Sequence, residues 1–205
     1  MNLVVSDIVK LDKKRSKVYI DGEFAFVLYD SELRKFGIEI EHEIGNVSYQ
    51  EIVGTLLVKR VRLRAMNLLQ KKDYTEKQLR DKLSEGLYPP ELVDDAIDYV
   101  KSYRYLDDER FARDYITYHI SSRSKNRIIQ DLSAKGIDKS LCLDILDEVS
   151  GEEDEDIEIA QIQKLLIKKH YDPNEIDIKA QQKIIAFLLR RGYKLSDIKR
   201  AMRTS

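Results

Sequence analysis

Three lines of residues recur along this chain and constrain its fold more than any other feature. Thr75, Leu79 and Leu83 align with Ser124, Ile128 and Leu132, and again with Ala180, Ile184 and Leu188. A glycine (Gly86, Gly136 or Gly192) follows each line after a similar interval. A spacing of four puts the members of each line on one face of a helix. Apolar patterns before and after each line add two more helices. The chain therefore reads as tandem three-helix units with a period of about 50 residues. A unit that small has little core of its own, so neighbouring units are expected to pack on one another.

The start of the chain has a different pattern. Ile8 to Leu11 and Lys17 to Ile20 are short β-type runs, with Lys13-Lys14-Arg15-Ser16 as a polar turn between them. Asp21-Gly22 is a hairpin signal, and Phe24 to Leu28 returns as a strand. Ser31 is placed to cap a short helix that Gly37 ends. Ile38, Ile40, His42 and Ile44 alternate with acids, which predicts a one-sided strand with His42 half-buried.

From Tyr49 the period becomes helical. Ile52, Leu56, Val61, Leu63, Ala65, Leu68 and Leu69 form the apolar line of a long, otherwise basic helix. Thr75 to Gln78 is a capping box, and Pro89-Pro90 suits the start of a third helix, where a missing N–H costs nothing. Leu92, Val93, Ala96, Ile97 and Val100 give that helix its buried face. In the second unit Asp107 is the N-cap, with Leu106 and Phe111 at the two staple positions. Ser124 caps the next helix, and Asp138 or Ser140 begins a third with Leu141, Leu143, Ile145 and Leu146 buried. The third unit takes Ile157 to Ile167, Ala180 to Leu189 and a short helix from Leu195. Acidic Glu152 to Asp156 is the expected joint before it. The fold class is thus mainly α: tandem three-helix repeats in an elongated curved array, with a small β-rich N-terminal module. The expected divisions are 1–50, 51–105, 106–150 and 151–205.

Charge is distributed unevenly although the net charge is only −1. Lys59 to Lys82 holds nine basic residues against three acids, and Leu141 to Glu158 holds nine acids and no Lys or Arg. Lys183 to Arg203 holds seven basic residues against Asp197 alone. A chain polarised in this way can meet another charged assembly in a fixed orientation. The single cysteine, Cys142, excludes an internal disulfide and reads as a small buried apolar residue in a reducing compartment. No secretory leader or membrane-spanning run is expected.

The residues suggest no catalytic constellation, metal site or cofactor. His119 and His170 are far apart and lack metal-ligand spacing; His119 reads as packed and His170 as a helix-end residue. For Asp107 and Asp108, helix capping is favoured over a divalent cation. Tyr103, Tyr105, Tyr115 and Tyr118 lie among Arg104, Arg110, Arg113 and Arg123, a mixture suited to interfaces and to stacking on single strands. The basic contact surface is expected from Arg60, Arg62, Arg64, Lys71, Lys72, Arg104, Arg110, Arg113, Arg123, Lys125 and Arg127. Reversing Arg60, Arg62 and Arg64 to Glu is expected to weaken partner binding while leaving helicity and the thermal midpoint nearly unchanged.

A family resemblance rests on three stretches. Leu106-Asp107-Asp108-Glu109-Arg110-Phe111-Ala112 is similar to the signature of the RecX regulatory proteins. Arg127-Ile128, Leu132 and Lys135-Gly136-Ile137 resemble that family's second landmark, although Ser124-Lys125 stands where the family usually has Gly-Pro. Ala65, Leu68-Leu69, Thr75, Leu79 and Leu83 resemble the first. The likeness is good from 59 to 149, looser in the last repeat and weak over 1–50. It implies a cytoplasmic bacterial regulator; the residues offer nothing for an enzyme, and a monomer is expected. Such a protein binds the RecA filament on single- or double-stranded DNA and inhibits ATP hydrolysis, strand exchange and co-protease activity. The alternative from the residues is a nucleic-acid-binding protein acting without RecA.

Overall fold

The computed structural model describes residues 3–150, 154–173 and 178–204, and the chain divides into two compact units, Met1–Asp107 and Asp108–Ser205. The first begins with β1 (Leu3–Lys10), β2 (Arg15–Ile20) and β3 (Glu23–Tyr29), followed by α1 (Asp30–Phe36) and a short β4 (Glu43–Ile44). These strands form an antiparallel sheet in the order β3-β2-β1-β4. The β2–β3 turn is Asp21-Gly22 with φ of 50° and 87°. Positive φ at both positions is the two-residue hairpin geometry that matches strand twist. Two readings are corrected here. The stretch from Ile38 to Ile44 is strand only at Glu43–Ile44, and His42, whose carbonyl accepts from the Val5 N–H at 2.9 Å, is exposed, with Nδ1 3.1 Å from the Ile40 carbonyl oxygen. Helix α1 also starts one residue before Ser31, and Glu32 accepts from the Tyr29 N–H at 2.8 Å in place of a Ser31 cap.

Helix α2 (Asn46–Glu51) runs through a π-helical segment (Ile52–Leu57) into α3 (Val58–Leu69). The π segment explains why the buried line departs from the expected one. Ile52 and Leu57, five residues apart, are both buried, and the line continues through Val61, Ala65 and Leu68. Leu56 is only partly buried, and Leu63 points outward at 60% exposure. The triad is completed by α4 (Glu76–Ser84), opened by the Thr75/Gln78 capping box, and α5 (Pro90–Ser102), with Pro90 at its first position. Sheet and triad share one core. Val5, Val18, Phe26 and Leu28 join Leu79, Leu83, Val93, Ile97 and Val100 in a continuous buried cluster that ends at Leu106.

The second unit holds α6 (Asp108–His119), α7 (Lys125–Ala134), α8 (Lys139–Ser150), α9 (Asp154–Lys168), α10 (Ile178–Arg190) and α11 (Leu195–Arg203). Helix α6 starts at Asp108, which puts Asp107 at its N-cap position. Ser124 Oγ caps α7 by accepting from the Arg127 N–H at 3.3 Å, and Asp138 Oδ1 accepts from the Ser140 N–H at 2.7 Å. Gly136 ends α7 at φ 93°, with the Ile137 N–H returning to the Leu132 carbonyl at 3.1 Å. In α8 the buried line is Cys142, Ile145 and Leu146, whereas Leu143 is 42% exposed. The core of α6–α8 centres on Ala112, Ile116, Ile128 and Leu132. A separate one in α9–α11 centres on Ile162, Leu166, Leu188 and Ile198. Ala180 lies inside α10 instead of capping it, so the repeat is carried by its apolar positions and not by its caps. Of the expected acidic joint, the side chains of Glu152 to Asp156 lie outside the described residues.

Polar contacts join these two triads. Gln161 Nε2 donates to the Ile120 carbonyl at 2.7 Å, and the buried Tyr193 hydroxyl donates to Gln161 Oε1 at 3.0 Å. Ser124 Oγ donates to the Arg191 carbonyl at 2.6 Å, Asn126 Nδ2 to the Gly192 carbonyl at 2.9 Å, and the Lys125 N–H to Glu158 Oε1 at 2.9 Å. Gly192 sits at φ 90°, and a Cβ there would lie 2.6 Å from Ser124 Oγ and 3.1 Å from the Arg127 nitrogen. Gly37 has a similar backbone (φ 61°) but open space around it.

Gly37→Ala is therefore expected to cost only the left-handed penalty of roughly 1–2 kcal/mol. Gly192→Ala should cost more, read as a lower urea midpoint; equal losses would show that the close approach is unimportant. Burial holds the Glu158 carboxyl above the ordinary carboxylate range, partly offset by the Lys125 N–H. The folded chain thus binds that proton more tightly than the unfolded one. Its contribution to stability falls as pH rises from the unfolded value, near ~4.3, through the folded one. Glu158→Gln, which keeps an acceptor for Lys125, should flatten that fall in a thermal midpoint series; an unchanged profile would exclude Glu158 as its source.

Candidate functional site

The arginines of α3 do not form one surface. Arg60, 20% exposed, pairs with Glu32, donates to the Val27 carbonyl at 3.1 Å and lies 4.9 Å over the Tyr29 ring. It ties α3 to α1 and the sheet. Arg62 makes a bidentate pair with Asp95 of α5 at 2.7 and 2.6 Å and sits 4.6 Å over Tyr99. The Asp95 hydrogen bond raises its already high pKa further. Arg64 is exposed and has no ion-pair partner among the described residues. Reversing all three therefore breaks packing as well as charge, a correction to the expectation above. Lys71 and Lys72 are exposed just beyond α3, with Lys72 Nζ 4.5 Å from the Tyr74 ring.

The Arg62–Tyr99 contact continues as an aromatic ladder. Tyr99 and Tyr103 rings are 5.0 Å apart, and Tyr103 and Tyr105 stack at 5.8 Å with 14° between planes. Arg104 makes the second step possible. Its φ of 55° reverses the chain after α5, and the Tyr105 N–H returns to the Val100 carbonyl at 3.0 Å. Tyr103 and Tyr105 remain 56% and 49% exposed.

In the second unit Asp131, 16% exposed, organises the basic residues. It accepts from Arg123 at 2.8 Å, pairs with Arg127 at 3.1 Å and accepts from the Tyr115 hydroxyl at 3.2 Å. Tyr115 stacks on Phe111 at 6.4 Å and meets His119 at 4.3 Å. Burial pushes the Tyr115 phenol up and the His119 imidazole down, toward its neutral form. Tyr118 is exposed beside His119, and Lys135 lies 5.9 Å from the Tyr115 ring. Arg113 bridges Glu109 at 3.3 Å and Glu148 at 2.7 Å, tying α6 to α8. Arg110 is exposed, and Lys125 is engaged through its backbone. Leu106, Ala112 and Ile137 of the signature are buried, Phe111 is partly so, and Asp107 and Asp108 are partly exposed at the head of α6.

Arg123 and Arg127 open onto a cleft of about 230 Å³, lined also by Ser122, Ser124, Tyr193, Arg190 and Arg191. Arg190 and Arg191 are absent from the expected surface. They lie more than 60 residues downstream, and only the basic run after Lys183 hinted at them. The cleft forms because the Ser124 and Asn126 side chains hold the Arg191–Gly192 backbone against the start of α7. Among the described residues no group of three His, Cys, Asp or Glu side chains is placed to hold a metal ion. Nor is any helix long and apolar enough to cross a membrane.

Family models for the RecX three-helix domains match this chain in order: the first at residues 62–99, the second at 107–142 and the third at 156–202. The protein named regulatory protein RecX in Caldanaerobacter subterraneus subsp. tengcongensis is 30% identical over 202 residues, covering 98% of both chains. Its namesake in Clostridium perfringens strain 13 is 31% identical over 190 residues, covering 91% of this chain and 88% of the relative. A crystal structure of regulatory protein RecX matches with a TM-score of 0.64 at 24% identity, covering 96% of this chain and 98% of that one. RecX from Lactobacillus salivarius gives 0.60 at 21%, covering 72% and 96%. At those identities the structures speak for the fold, whereas the two sequence relatives, matched over nearly their whole length, carry the assignment. The chain belongs to the RecX family of regulatory proteins.

Proposed function

We propose that this protein binds the RecA recombinase filament on DNA and inhibits its ATP hydrolysis, strand exchange and co-protease activity. The observation that carries this reading is membership, over nearly the full chain, of a family whose members are named regulatory proteins. The uneven charge supports it. Acids are concentrated from Leu141 to Glu158, and basic residues from Lys59 to Lys82 and after Lys183. Such a pattern suits a partner that itself alternates protein and phosphate surfaces. The proposed setting is the cytoplasm, and the acting species a monomer. Three triads, following the sequence divisions, are the proposed contact modules.

A second reading draws on the Tyr99–Tyr103–Tyr105 ladder. The exposed, stacked pair Tyr103 and Tyr105, next to Tyr99 with Arg62 over its ring, also suits unpaired bases. It makes the protein a nucleic-acid binder acting without RecA.

Two measurements separate these readings and identify the contact residues. RecA ATP hydrolysis on single-stranded DNA should fall when this protein is added below one molecule per RecA; undiminished hydrolysis at saturation would favour the second reading. Arg64→Glu should raise the concentration needed for half inhibition while leaving the thermal midpoint unchanged. Arg62→Glu should lower the midpoint, because it leaves Asp95 facing a like charge. Equal thermal behaviour of the two variants would contradict the structural role assigned to Arg62.

A further inference from the structure

The arginine cleft of the second unit gathers four guanidinium groups where its two triads meet. Asp131 fixes Arg123 and Arg127 side by side on one wall. Arg190 and Arg191, from the end of α10, form the other. Arg191 is held with its guanidinium 4.6 Å over the Phe187 ring. Neither Arg190 nor Arg191 has an ion-pair partner among the described residues, and Asp131 is the one carboxylate in contact with the cluster there.

The donors are free to act on a ligand. A guanidinium carries five N–H groups. Arg123 uses one terminal nitrogen, on Tyr115 and Asp131, and Arg127 uses its Nε on Asp131. The neutral groups of the cleft are already engaged. Ser124 donates to the Arg191 carbonyl, Ser122 to the His119 carbonyl at 3.2 Å, and Tyr193 to Gln161. What the cleft offers is therefore planar, forked, permanently charged donors from the start of α7 and the end of α10, the side chains that favour phosphate oxygens.

We infer that this cleft is a phosphate-binding site that grips the backbone of a nucleic-acid strand. The inference rests on the proposed function for its setting, in that it names where a strand would be held by the regulator. The cleft is open to solvent, and four arginines line it, so a phosphate can be reached without being enclosed. Lys194, just beyond Arg191, is exposed and lies close enough to Glu158 to act on its carboxyl. Binding of this kind neutralises phosphates and releases counterions, so it is read in the salt dependence of affinity and not in base preference.

The test uses the full chain without RecA, so its outcome is independent of filament inhibition. The probe is a fluorescent oligothymidylate, titrated over a range of salt. Arg190→Ala/Arg191→Ala should weaken binding by about tenfold or more at low salt. It should also reduce the magnitude of the slope of log affinity against log salt by roughly 0.7 for each phosphate that the variant no longer neutralises. The Lys/Lys variant should recover most of the slope. Arg190→Glu alone, at an exposed side chain, should act in the same direction with an unchanged thermal midpoint. An unchanged slope and affinity in both the double alanine and Arg190→Glu variants would overturn the inference. So would pyrophosphate or polyglutamate binding that these variants abolish while oligothymidylate binding persists, which would assign the cleft to free phosphate or to an acidic protein segment.

Discussion

The structure depends on one constraint: a three-helix unit of about 50 residues buries only a small core of its own. Each triad is completed from outside, and the two units do this differently. In Met1–Asp107 the sheet supplies Val5, Val18, Phe26 and Leu28 to a core shared with α3–α5. In Asp108–Ser205 two smaller apolar cores persist, and hydrogen bonds through Gln161, Tyr193, Ser124 and Asn126 close the gap between them. Buried polar groups of this kind must be satisfied, so they specify the geometry as much as they stabilise it.

That division decides where charge is available. In the first unit much of the basic run after Lys59 is used internally: Arg60 on Glu32, Arg62 on Asp95, and Arg80 between Asp94 and Glu76. Arg64, Lys71 and Lys72 remain directed to solvent. In the second unit Asp131 takes two arginines at once, while the repeat geometry brings Arg190 and Arg191 to the same cleft without an ion-pair partner among the described residues; the nearby Glu158 carboxylate is taken up by the Lys125 N–H. A linear count of charges gives both stretches similar weight, and folding separates them.

Local chemistry made much of the fold legible in the sequence. Thr75 with Gln78, Ser124, Pro90, the Asp21-Gly22 turn and Gly136 act through neighbours a few residues away, so their roles follow from spacing. The Leu79/Leu83 and Ile128/Leu132 lines were legible for the same reason. What escaped depended on backbone irregularity or on distant contacts. The π segment at Ile52–Leu57 shifts the buried face by one residue, moving Leu57 in and leaving Leu63 outside. The site was less legible than the fold. Arg60 and Arg62 owe their roles to Glu32 and Asp95, about 30 residues away, and the cleft needs Ser124 to meet Arg191 across 67 residues. No periodicity encodes such pairings.

The central functional claim, that the partner is a filament of RecA on DNA, is tested most directly by co-sedimentation. RecA is assembled on long single-stranded DNA with a non-hydrolysable nucleotide, so that the filament persists whatever the regulator does to turnover. The protein is expected to pellet saturably with that filament at concentrations and salt where bare DNA leaves it in the supernatant. Equal pelleting with bare DNA, and no gain from RecA, would contradict it.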